Sequence, residues 1–155
     1  MPASQAAVYG GAVPRLLRTS LPDGFFHVTA RGVDGAVIYL DDRDRWSFLG
    51  LLRDAIVRYR LTCHTYCLMT NHYHLLLRAA QPDLSRGLQL LNGVHAQRFN
   101  RRHERTGHLF GQRFSSKVVE DDEYLYDAAE YILQNPVRAG LCDDPRDYPW
   151  ARSDL

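Results

Sequence analysis

No apolar run in this 155-residue sequence approaches the ~20 residues needed to cross a bilayer, which excludes a helical membrane span. The amino-terminal stretch lacks the basic-then-hydrophobic pattern of a secretory signal. Cysteine is scarce. Cys63, Cys67 and Cys142 are an odd number without framework spacing, so a reduced, cytoplasmic protein is expected rather than a disulfide scaffold. An excess of charge is missing too: nineteen Lys and Arg face eighteen Asp and Glu, a net of +1, and the total does not suggest a generic polyanion binder. The chain has no internal repeat and no linker long enough to separate domains.

What is present is unevenly placed. From Arg98 to Lys117 six basic residues (Arg98, Arg101, Arg102, Arg105, Arg113, Lys117) meet one acid, Glu104; from Glu120 to Glu130 there are six acids and no base. The two blocks cancel in the total and leave a local basic patch. Such a patch suits phosphate contact, and equally a solvated face.

The most informative stretch is Thr70-Asn71-His72-Tyr73-His74-Leu75-Leu76-Leu77-Arg78. As a strand it sends His72 and His74 from one face, roughly 6–7 Å apart, and Tyr73, Leu75 and Leu77 into a core. Paired imidazoles on a rigid sheet could hold a metal, or could be two ordinary sheet histidines.

Residues 1–24, rich in Gly, Pro and small side chains, are expected to form an arm, and residues 25–155 a single domain. Phe25 to Arg31 is aromatic and β-branched, a strand; its His27 is expected to be a satisfied sheet-face histidine. A helix is expected from Arg43 to Arg60 behind Asp41-Asp42, with Trp46, Leu49, Leu52 or Arg53, Ile56 and Tyr59 as its core stripe. Leu61 to Met69 forms a strand, joined to the histidine strand by Thr70-Asn71 as an antiparallel hairpin. A second helix begins at Gln81-Pro82-Asp83 and runs to Asn100, and Leu109 to Val119 is strand-like. Asp122 to Gln134 is helical and stops at Asn135-Pro136, before an irregular tail expected to pack back on the domain. The order is that of an α+β fold, a ferredoxin-like antiparallel sheet (βαββαβ) with an additional C-terminal helix. On that last helix Tyr124, Asp127, Tyr131 and Asn135 share a face.

Five blocks occur in order: Phe26-His27-Val28-Thr29 with Arg31-Gly32; Asp41 to Arg45; Met69 to Leu76; Gly107-His108-Leu109-Phe110 with Arg113-Phe114; and Tyr131 to Gly140, YILQNPVRAG. From about Pro14 to Trp150 the chain resembles the HUH single-tyrosine transposases, and within them the REP-associated tyrosine transposases. The resemblance implies a metal-dependent endonuclease and strand transferase that nicks single-stranded DNA near hairpins. Tyr131 would be the catalytic nucleophile, leaving a 5′-phosphotyrosine link and a free 3′-OH. His72, His74 and Asn135 would bind Mg²⁺ or Mn²⁺, Asn135 standing where related transposases carry Gln. Arg98, Arg101, Arg102, Arg105, Arg113 and Lys117 would be the DNA-binding residues, and the protein could act as a homodimer. A phenol, with pKa near ~10, is a poor nucleophile at neutral pH without a base or a metal beside it.

Tyr124 and Tyr126 are rival nucleophiles on the same helix; Tyr131 is preferred because the amide and the NPVRAG block follow it. Two rival functions carry different expectations. A hairpin-binding module would cut nothing, and a structural zinc protein would use Cys63, Cys67, His72 and His74, the two cysteines sharing a strand face.

Overall fold

Thr70 and Asn71 leave room for nothing but a tight reversal between two strands, and that reversal sets the middle of the sheet. The computed structural model describes residues 24–155; the arm expected at residues 1–24 lies, but for Gly24, outside the described residues. Its elements are β1 (Gly24–Arg31), α1 (Asp42–Tyr59), β2 (Thr62–Leu68), β3 (His72–Ala79), α2 (Gln81–Arg102), β4 (Ser115–Val119), α3 (Asp122–Leu133), α4 (Asn135–Arg138) and β5 (Ala151–Ser153). The five strands run in the order β4-β1-β3-β2-β5, each pair antiparallel. The α+β, ferredoxin-like architecture with a further helix is therefore present, with one more edge strand than the sequence suggested. No helix among the described residues is long and apolar enough to cross a membrane.

The sheet is covered on both faces. Phe26, Val28, Tyr73, Leu75 and Leu77 meet Phe48, Leu51 and Leu52 of α1 and Leu84, Leu88 and Leu91 of α2 in the main core. On the other face Cys67, Met69 and Leu76 pack under Leu125, Ala129 and Ile132 of α3. Each large side chain so buried contributes about 1.5–3 kcal/mol. Tyr73 is wholly buried and its hydroxyl donates to Asn92 Oδ1 at 2.7 Å, a packing residue with its polar end satisfied.

α1 starts as its acids suggested, with the Asp41 side chain accepting from the Asp44 N–H at 3.1 Å. Its core stripe is Asp44, Phe48, Leu51, Leu52 and Ala55, rotated from the expected one, and Trp46 is 66 % exposed. The rotation has a cause in Asp44. That carboxylate turns inward to accept from the Leu40 N–H at 2.8 Å, from Arg102 Nη1 at 2.6 Å and from His103 Nε2 at 2.8 Å, tying the start of α1 to the end of α2.

Three further expectations are corrected. The strand expected over 109–119 is strand only from Ser115, because Phe110 bridges to Gly32 and Gly111 sits against Val33. The tail expected to be irregular adds β5 beside β2 and buries Trp150. Cys63 and Cys67 do not share a face. β2 carries a bulge between Cys63 and Thr65, which inserts one residue and flips the alternation, so Cys63 packs toward α1 and α2 and Cys67 toward α3. A zinc site holding both thiols is not assembled, and among the described residues no group of three His, Cys, Asp or Glu side chains could hold a metal.

Candidate active site

The sheet face beneath α3 is built by register. β1 pairs with β3 so that Thr29 lies opposite His74 and Arg31 opposite His72; β1 pairs with β4 so that Ser115 lies opposite Thr29 and Lys117 opposite His27. Paired residues share a face, and alternation then collects His27, Thr29, Arg31, His72, His74, Ser115 and Lys117 on one side. α3 packs on this face through Leu125, Ala129 and Ile132, and Tyr131, near its carboxyl end, faces the histidines. Between them is an open cleft of about 320 Å³ lined by His27, Thr29, His74, Ser115, Lys117, Ala128 and Tyr131.

Within it the Tyr131 ring stands 6.0 Å from the His74 ring and 5.9 Å from that of His27, centre to centre. His72 and His74 are 5.1 Å apart on the same measure. His74 Nδ1 is 2.9 Å from His27 Nε2 and 3.2 Å from Thr29 Oγ1, while His72 Nδ1 is 2.7 Å from Asn71 Oδ1. The Tyr131 side chain itself is half-exposed.

Burial and neighbouring cations set the protonation of the histidines. Burial, with Arg31 nearby, pushes His72 down to about 4. Burial and the neighbouring His27, His72, Arg138 and Arg31 push His74 down to about 3. His27 is lowered by burial and by Lys117. All three imidazoles are therefore neutral at physiological pH, the state in which a ring nitrogen can serve as ligand or acceptor.

Tyr131 is held from its own helix end. Arg138 of α4 donates from Nη2 to the Tyr131 carbonyl at 2.6 Å and lies 4.2 Å from the centre of the Tyr131 ring. Asn135 donates from Nδ2 to the same carbonyl at 3.3 Å, which leaves its amide oxygen uncommitted to that contact. Tyr126 lines a different groove, with Leu133, Arg146 and Leu155, and Tyr124 is not among the residues lining the histidine cleft.

The basic residues separate by location. Lys117 lines the cleft. Arg98, Arg101 and Arg113 are exposed outside it. Arg102 is engaged by Asp41, at 2.6 and 2.5 Å, and by Asp44, while Arg105 donates to Asn100 Oδ1 at 2.8 Å. Spacing alone did not identify Thr29, Arg31 or Arg138 as members of the site, nor His27 as the partner of His74. Strand register and the α3–α4 junction bring them in, and only their presence in the blocks quoted above hinted at it.

The profile of the family described as "Transposase IS200 like" matches residues 36–135. A protein of Haemophilus influenzae bearing the name REP-associated tyrosine transposase is 24 % identical over 141 residues, covering 79 % of this chain and 80 % of that one. Among solved structures, a REP-associated tyrosine transposase bound to a REP hairpin superposes with a TM-score of 0.60 at 16 % identity, over 84 % of this chain and 77 % of the other. A transposase structure from Deinococcus radiodurans R1 gives 0.50 at 19 % identity, over 85 % and 95 %. These two likenesses bear on the fold, and the profile, spanning well over half of the chain, bears on descent: this chain belongs to the IS200-like transposase family.

Proposed function

We propose that the protein is a REP-associated tyrosine transposase that binds hairpin DNA and nicks and rejoins the adjoining single strand through Tyr131. The observation that carries this reading is the meeting of Tyr131 with His27 and His74 in one cleft, fifty-seven positions separating Tyr131 from His74 in the chain. Packing alone has little use for a half-exposed tyrosine facing neutral imidazoles on a basic-rimmed sheet. A relative of the same fold is bound to a REP hairpin, and the exposed Arg98, Arg101 and Arg113 together with Lys117 offer charge for a sugar–phosphate backbone.

The donor set suits a divalent ion. His72 and His74 are neutral, each with Nδ1 engaged elsewhere, and the Asn135 amide oxygen is a further hard donor at the tyrosine's end of α3. Two imidazoles favour Mn²⁺ over Mg²⁺. Such an ion, when bound, would withdraw charge from the scissile phosphate and orient its oxygens.

The chain's own residues supply the rest. Arg138 and the end of α3 fix the Tyr131 ring beside the cleft. The phenolic oxygen attacks phosphorus; the new O–P bond replaces the bond to the 3′ oxygen, which leaves as a 3′-OH, and the proton lost by the phenol balances the one gained there. The ester on Tyr131 conserves the phosphodiester energy, so rejoining needs no ATP. Lys117 and Arg31 offset phosphate charge at the rim.

Labelled hairpin oligonucleotides carrying single-stranded flanks, incubated with protein and Mn²⁺ or Mg²⁺ and run on denaturing gels, test the reading. A protein–DNA adduct is expected, lost when EDTA is present. Hairpin binding with no adduct under any metal would instead establish a non-cutting binding module.

A further inference from the structure

His72 and His74 share a feature that their place on one sheet face does not require: each has Nδ1 occupied by a neighbouring side chain. His72 Nδ1 is 2.7 Å from Asn71 Oδ1. The orientation of that amide is fixed independently, since Asn71 Nδ2 donates to the Gly35 carbonyl at 3.3 Å and so turns the oxygen toward the imidazole. An amide oxygen only accepts, so neutral His72 carries its proton on Nδ1 and its Nε2 is a bare lone pair.

His74 is held the same way by different chemistry. Its Nδ1 lies 2.9 Å from His27 Nε2 and 3.2 Å from Thr29 Oγ1. Two neutral imidazoles share one proton across such a contact. With the proton on His74 Nδ1, His27 accepts at Nε2 and His74 offers Nε2, as His72 does. With the proton on His27 Nε2, His74 would instead present an N–H, which a cation rejects. The Thr29 hydroxyl beside the same Nδ1 accepts in the first arrangement and donates in the second, so it holds the ring plane in either; the first is the arrangement that leaves a lone pair for a cation. A ligating histidine whose other nitrogen donates to a fixed partner has its tautomer and ring plane set before the ion arrives.

The geometry points to a pair of tautomer clamps: Asn71 on His72, and His27 with Thr29 on His74, so that both imidazoles present Nε2 to the divalent ion. The clamps rest on the metal-dependent reading above, and they give a purpose to two residues of the quoted blocks, Asn71 and His27. Neither touches the reacting atoms in this role; both are positioning residues.

Nitrogen-15 NMR of the metal-free protein, labelled at histidine, reads the tautomers directly, and Mn²⁺ titration calorimetry reads the consequence. The expected result is Nδ1 protonation of both His72 and His74 in the wild type. Asn71→Ala and His27→Phe should each weaken Mn²⁺ by about 10–100-fold. His27→Gln, whose amide oxygen can accept from His74, should recover most of that loss, and Asn71→Asp should keep the affinity or raise it. An Nε2-protonated His72 or His74 in the wild type overturns the inference, and so does an unchanged Mn²⁺ affinity in Asn71→Ala and His27→Phe. The wild-type spectra decide the matter even if a variant fails to fold. Nδ1 tautomers in a wild type that binds no Mn²⁺ would overturn the metal-dependent reading instead.

Discussion

Arg138→Ala removes two contacts from the proposed nucleophile without touching the sheet. The first is the hydrogen bond from Nη2 to the Tyr131 carbonyl at 2.6 Å, where a cation also meets the carbonyl end of α3. At an exposed helix C-terminus such a charge is worth about 0.3–1 kcal/mol. The second is the guanidinium over the ring at 4.2 Å, about 0.5–1 kcal/mol at an exposed site. Together they amount to about 1–2 kcal/mol. If all of it serves to hold the ring in its attacking orientation, at 1.36 kcal/mol per decade the single-turnover rate should fall about 5–30-fold. Arg138→Lys keeps the charge but loses the flat stack and should fall between. The assay is the rate of adduct formation at saturating hairpin DNA, so that lost charge cannot act through binding. A wild-type rate in Arg138→Ala under those conditions would refute the positioning argument.

Four histidines are held neutral by the fold: His27, His72, His74 and His95, each lowered first by burial. The unfolded chain binds their protons near pH 6.5 while the fold refuses them until about 4 for His72 and about 3 for His74. Stability is therefore full above pH 6.5 and declines as pH falls, by about 2–4 kcal/mol at pH 5 after discounting for partial exposure. A urea midpoint that stays flat from pH 7.5 to 5 would contradict this. Arg98→Ala and Arg101→Ala should weaken hairpin binding and lower its salt slope by about 1 each without altering stability. Arg102→Ala should instead destabilise the fold, because it removes the guanidinium from the Asp44 carboxylate, whose side chain is only 4 % exposed, and leaves it the Leu40 N–H and His103 alone; a thermal melt of each variant separates the two. Gly32→Ala would place Cβ 1.9 Å from the Ala36 carbonyl oxygen and should cost about 3 kcal/mol or more, measured by denaturant unfolding.

Legibility in the sequence followed the range of the interactions. The β2–β3 hairpin could be read because a two-residue gap and period-2 alternation are local, and the burial of Tyr73, Leu75 and Leu77 in the main core follows from them. The stripe on α1 was misplaced because Asp44, a charged residue that local pattern assigns to solvent, is turned inward by Arg102 and His103 some sixty residues away. The faces of Cys63 and Cys67 went wrong at a bulge that no residue type announces. Strand β5 is three residues long and follows two prolines closely, too short to carry a period. Within the site His72, His74 and Tyr131 were nameable from spacing and resemblance. The pairing of His27 with His74 exists only through the β1–β3 register, and Arg138 reaches back to the Tyr131 carbonyl across the junction of α3 and α4, where Pro136 cannot donate an N–H.

The central claim is that the Tyr131 hydroxyl makes the covalent bond to DNA. Mass spectrometry of the adduct, digested with nuclease and protease, tests it at one atom. The account predicts a residual 5′-nucleotide on the peptide containing Tyr131, and no adduct from Tyr131→Phe. A nucleotide on Tyr124 or Tyr126, or an adduct that survives in Tyr131→Phe, would contradict it.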